Sequence, residues 1–196
     1  MSRHAVVAPI AAIVLMLCTA ALPAAAQTST AFTIGPVAAR GVDADRLLLG
    51  LGAFNIDKER NGGDLAANAE LEYRFGWKLP FLGSFIGPTV GAMATSDGGA
   101  QGYGGAYADF AWGRWIVSPL AAVGAWHQGD SKDLGGVLSF RLALDAGYEF
   151  DSGSRLGLRF AHISNAWSHP RNPGEEELLI TYSIPLFEPG PRGAAR

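Results

Sequence analysis

The feature that constrains this chain most is a two-residue alternation of apolar and polar side chains, sustained over roughly 10 residues at a time. From Leu65 the odd positions read Leu65, Ala67, Ala69, Leu71, Tyr73, Phe75 and Trp77, and the even ones Asn68, Glu70, Glu72, Arg74 and Gly76. From Phe140 the even positions are Phe140, Leu142, Leu144, Ala146, Tyr148 and Phe150, and the odd ones Arg141, Ala143, Asp145, Gly147 and Glu149. That period belongs to strands with one greasy face and one charged face. Such strands exceed the roughly 5–6 residues usual in soluble sheets, and when tilted they are long enough to cross a bilayer.

Composition narrows the classes further. Hydrophobic residues make up 48% of the chain and charged ones 17%, against about 25% charged in an average soluble domain. Such a chain is too apolar to be disordered. With a net charge of −3 and no basic run, it cannot bind nucleic acid by neutralising phosphates. At the N-terminus, Arg3 and His4 precede an almost unbroken apolar stretch from Ala5 to Leu22, then Pro23 and Ala24-Ala25-Ala26 before Gln27. This order predicts a secretory signal peptide over 1–26, cleaved after Ala26. The sole cysteine, Cys18, lies inside it. A disulfide, a thiolate metal site and a cysteine nucleophile are therefore not expected in the mature chain, and neither metal nor cofactor is expected.

The expected architecture is all-β: an eight-stranded antiparallel transmembrane barrel of the bacterial outer membrane. The strands fall at about 46–55, 65–77, 84–95, 103–112, 115–126, 138–150, 155–164 and 177–187. Residues 27–45 read as a periplasmic lead-in, 46–187 as the barrel and 188–196 as a C-terminal tail. Within the lead-in, Phe32 to Arg40 competes as a ninth strand, but Pro36 interrupts it and odd counts are rare in bacterial barrels. Trp77, Trp112 and Trp115 are expected at the periplasmic rim, and Trp126 and Trp167 at the outer rim, as two aromatic girdles. A barrel this narrow is filled by its own side chains. Arg141, Asp145, Glu149 and Arg159 are expected to point inward and pair, which excludes a porin.

The seventh strand carries the candidate chemistry. His162 and Ser164 continue its lipid-facing row of Leu156, Leu158 and Phe160, with Cα atoms roughly 6.5 Å apart. An imidazole and a hydroxyl on that face are costly unless they bond each other or serve a function. In the eighth strand the apolar parity is also even, and of Glu175, Glu176 and Glu177 only Glu176 shares it. Antiparallel pairing across the intervening loop brings Glu176 beside His162. Carboxylate, imidazole and hydroxyl then stand in the order a nucleophilic triad needs. A site on the outer wall near the external rim meets only a lipid of the outer leaflet.

The string His162-Ile-Ser-Asn-Ala166, followed by Asn172-Pro-Gly-Glu-Glu176, resembles the signature of the outer-membrane lipid A 3-O-deacylases (the PagL, or acyloxyacyl hydrolase-like, family). The resemblance is sharpest over about 155–187. It implies an eight-stranded barrel with Ser164 as nucleophile, His162 as base, Glu176 as orienting acid and Asn165 near the oxyanion or positioning substrate. It also implies metal-free hydrolysis of the ester at position 3 of lipid A, with lipopolysaccharide as the partner in the membrane. The sequence departs from the pattern at Trp167, where a small residue is expected. A phospholipase-like acylhydrolase and a non-enzymatic structural barrel are the alternatives, and a homodimer is left open. His169 and His127 read as hydrated loop residues, and Arg171 and Lys132 as cations able to meet lipid A phosphates. The Asp43/Asp45 pair does not read as a calcium site.

Overall fold

A computed structural model describes residues 29–57, 59 and 62–187; the signal-peptide assignment, Cys18 and the C-terminal tail lie outside them. The chain forms β1 (Thr30–Ile34), β2 (Val37–Arg40), β3 (Asp45–Phe54), β4 (Ala66–Arg74), β5 (Ile86–Thr95), β6 (Ala100–Ala108), β7 (Phe110–Trp112), β8 (Trp115–His127), β9 (Leu138–Glu149), β10 (Arg155–Ser164) and β11 (Glu175–Phe187). Hydrogen bonding runs β8-β6-β5-β4-β3-β11-β10-β9, and a β8–β9 pairing closes the ring. All these pairings are antiparallel. The result is a closed eight-stranded barrel, with β7 continuing β6 past Asp109. Among the described residues no helix is long and apolar enough to cross a membrane, so any crossing is made by strands.

Side-chain parity follows the alternation. In β4, Ala66, Asn68, Glu70, Glu72 and Arg74 are buried in the lumen. In β9, Ser139, Arg141, Ala143 and Asp145 are buried, while Phe140, Leu142 and Leu144 face outward. The lumen charges compensate one another. Arg159 pairs with Asp145 at 2.8 Å and with Glu70 and Glu72. Arg141 reaches Glu70 at 2.8 Å and Glu177 at 2.6 Å, and Arg74 binds Glu72. A second cluster, at the end of the lumen near the 151–154 turn, joins Arg155 to Glu149, Asp109 and Asp43. Arg159 thus meets Asp145 as expected, whereas Arg141 meets Glu70 and Glu177 rather than the acids of its own strand. Asp43 takes its partners from Arg155 and Arg46, and Asp45 binds the Tyr73 hydroxyl and the Gly76 amide.

Two expectations are corrected. Trp126 is not in an outer girdle: it is buried, stacks on Phe54 with ring centroids 5.4 Å apart, and donates its indole N–H to the Lys132 carbonyl. With Ala66, Met93, Leu134 and Ile163 it forms an apolar plug at the loop end of the lumen. Both faces of β8 are apolar, so hydrophobicity alone cannot tell which one turns inward. Second, the connection before β6 is a tight turn over 96–99 rather than a longer loop. Phe32 to Arg40 does not add a ninth stave to the ring. β1 and β2 form a hairpin, with Gly35-Pro36 at its turn, that pairs β2 onto β7. β5 begins opposite Ala108, so the edge of β7 lacks a barrel neighbour and β2 takes that edge. Trp77, Trp112 and Trp115 are exposed, as a rim position requires.

Candidate active site

The antiparallel register of β10 and β11 places His162 directly opposite Glu176. Their side chains meet on the outer wall, His162 Nδ1 lying 3.2 Å from Glu176 Oε1. The neighbours Glu175 and Glu177 point into the lumen and are fully buried, so parity alone selects Glu176 for the wall. Ser164 follows two residues after His162 on the same row, opposite Phe140 of β9. The loop over it leaves it only 9% exposed. Among the described residues, Ser164 and His162 are not hydrogen-bonded to each other. Without substrate, such contacts are commonly long and tighten in the complex.

Gly174 sets the imidazole's place. Its φ is +61°, and a Cβ there would stand 2.9 Å from His162 Cε1. Only a glycine takes both that backbone and that contact without strain. The backbone of Glu176 is anchored from the segment that follows β3, where the Ile56 N–H donates to the Glu176 carbonyl. One residue earlier the Asn55 N–H donates to Glu175 Oε2. Asn55 is itself buried at φ +58°, and its Nδ2 donates to the Gly62 and Asp64 carbonyls.

Asn165 is fully buried and all its polar atoms are used. Its Nδ2 donates to the carbonyls of Leu134 and Arg171, and its Oδ1 accepts the Trp167 N–H. Its backbone N–H donates to Asn172 Oδ1, and its carbonyl accepts the Ser168 N–H. The side chain therefore ties the 165–174 loop to the 128–137 loop and has no free donor for a developing oxyanion. Arg171 and Asp133 close the same clasp with an exposed ion pair at 2.5 Å. The Gly135 N–H, then Arg171, hold the Asp133 carboxyl below its ordinary range.

Lys132 is not a surface cation. It is buried and donates to Asn55 Oδ1 at 3.2 Å. Burial pushes its ammonium down against the opposing pull of Glu175 and Glu176. His169 packs on Gly136, where a Cβ would fall 2.4 Å from the ring, and His127 ends β8 exposed. Gly174, Asn172, Asn55, Ile56 and Leu134 were not singled out by sequence reasoning. Only Asn172 and Gly174 left a trace, inside the Asn-Pro-Gly-Glu string; the others act through backbone geometry that no side-chain pattern announces.

Fold and site together define a small outer-membrane barrel with a candidate serine-hydrolase constellation on its lipid-facing wall. The chain belongs to the lipid A 3-O-deacylase (PagL) family, whose model matches residues 61–185. It is 36% identical over 67 residues to the lipid A deacylase PagL of Pseudomonas aeruginosa, an alignment spanning 34% of this chain and 38% of that protein. The matched stretch is thus under half of the curated relative's length. In fold it is similar to the crystal structure of the outer membrane enzyme PagL, with a TM-score of 0.53 at 21% identity over 72% of this chain and 99% of that one.

Proposed function

We propose that the chain is an outer-membrane serine esterase that hydrolyses the ester-linked primary acyl chain at position 3 of lipid A and releases a 3-hydroxy fatty acid. Ser164 is the nucleophile, His162 the general base and Glu176 the orienting acid. The observation that carries this reading is the half-buried His162–Glu176 pair on a wall otherwise lined by apolar side chains, two residues from a serine of the same row. Family membership supplies the acyl donor.

The geometry supports a two-step path. Glu176 on Nδ1 fixes the tautomer that leaves Nε2 free to take the Ser164 proton as Oγ attacks the ester carbonyl. The imidazolium, held by Glu176, returns that proton to the departing sugar oxygen as the C–O bond breaks, leaving an acyl-serine. Water, deprotonated by His162, then attacks the acyl carbonyl, and the proton goes back to Ser164 Oγ as the fatty acid leaves. Asn165 acts as a positioning residue, through the loop it holds rather than by touching the oxyanion. All three catalytic groups come from one chain, so the homodimer left open by the sequence adds nothing the reaction requires.

The test is hydrolysis by the purified full chain in detergent micelles, with lipid A and phosphatidylethanolamine offered separately. Release of a 3-hydroxy fatty acid from lipid A alone is expected. Preferential cleavage of the phospholipid would move the protein to the phospholipase-like alternative.

A further inference from the structure

Trp167, three residues past the nucleophile, is a bulky side chain held in a backbone conformation that works against it. Both Ala166 and Trp167 are left-handed, at φ +48° and +61°, a conformation unfavourable for a residue with a Cβ. Strain of this kind persists where surrounding structure over-determines it, and it concentrates at functional sites. Here the determinant is Asn165, whose Oδ1 and carbonyl receive the N–H groups of Trp167 and Ser168. The turn is held by these bonds, yet Trp167 is 74% exposed. Among the described residues the indole has no ring partner and no hydrogen bond. A large apolar ring is thus aimed outward, three residues past Ser164, at the headgroup end of the wall.

The chemistry of the proposed substrate says what stands there. In a 3-O-acyl ester the leaving oxygen is bonded directly to a carbon of the glucosamine ring. When Ser164 Oγ reaches the carbonyl, the sugar is therefore two bonds away and is held against whatever lies on the headgroup side of the nucleophile. In a phospholipid that place is taken by an acyclic glycerol, which offers no ring face.

We infer that Trp167 is a substrate-contacting residue whose indole face stacks on the glucosamine ring bearing the scissile ester, so that it selects acylated sugar over other esters. This deepens the lipid A reading and rests on it. Trp167→Phe retains an aromatic face at the same φ, Trp167→Leu retains apolar bulk without one, and Trp167→Gly removes the side chain while relieving the backbone.

The experiment measures kcat and KM for the full chain in micelles on two substrates. One is a 3-O-(3-hydroxyacyl) glucosamine lipid; the other is the p-nitrophenyl ester of the same acid, which has no sugar. The Leu and Gly variants are expected to raise KM for the glucosamine lipid by roughly fivefold to tenfold, the scale of one aromatic contact. Their kinetics on the nitrophenyl ester should stay at the wild-type level, and Trp167→Phe should stay near wild type on both. An equal loss on both substrates would overturn the inference by making Trp167 a shaper of the turn. Unchanged KM on both would overturn it by leaving Trp167 a bilayer-interface anchor. Failure of the lipid A reading is distinguishable, because the wild type would then leave the glucosamine lipid uncleaved, whatever it does to the nitrophenyl ester.

Discussion

At the scale of single residues, the site depends on which of three consecutive glutamates reaches the wall. Glu175 and Glu177 are buried in the lumen, and Glu176 alone meets His162. That much was legible in the sequence, because apolar parity in the last strand assigns faces without any structure. Asn165 was legible in part: the motif suggests a place near the oxyanion, while its odd parity takes it off the His162–Ser164 row and suggests action through the backbone, and its side chain bonds loop backbone. Glu176→Gln keeps the size of the side chain but loses the charge that stabilises the imidazolium. We expect it to lower kcat by about 10²–10⁴-fold, by analogy with removal of the orienting acid in other triads, with little change in KM. Steady-state kinetics in micelles would measure this, and an unchanged kcat would remove Glu176 from the mechanism.

At the scale of elements, the barrel staves were legible and the loops were not. Strands such as β4 and β9 carry one charged and one apolar face, so period and parity fix them together. β8 is apolar on both faces, which is why Trp126 reads as a rim residue and proves to be the centre of the plug. The clasp between the 128–137 and 165–174 loops is built from main-chain carbonyls, and no residue pattern encodes it. It hangs on Asn165, so Asn165→Ala leaves the buried carbonyls of Leu134 and Arg171 without their donor, each such loss costing about 1–3 kcal/mol. Because the damage is local, hydrogen exchange should accelerate in both loops while the strands stay protected, and kcat should fall with the loop that carries Trp167. Loosening of the strands themselves would show that Asn165 supports the barrel and not the site.

At the scale of the whole molecule, the wall is the working surface and the lumen is structural. Buried arginines and their acids fill the barrel from its middle to the turn end, and an apolar plug closes the loop end. The eight-strand count bounded this in advance, since so narrow a ring holds side chains rather than solute. The partners were only partly foreseeable, because cross-barrel pairs such as Arg159 with Glu70 and Glu72 depend on register around the closed ring. Removing one member leaves its partners buried without their counter-charge. Arg159→Met should therefore destabilise the barrel by about 3–5 kcal/mol, read as a lowered denaturation midpoint in micelles. A midpoint at the wild-type value would mean that the remaining arginines suffice to balance the lumen.

The central claim is that Ser164 on the outer wall opens the 3-O-acyl ester of lipid A. Its most direct test is mass spectrometry of lipid A after incubation with the detergent-solubilised full chain, wild type against Ser164→Ala. The wild type alone should remove the mass of one 3-hydroxyacyl chain, with the Ser164→Ala protein still folded by heat-modifiable migration. Identical spectra from the two proteins, whether both deacylated or both intact, would contradict the account.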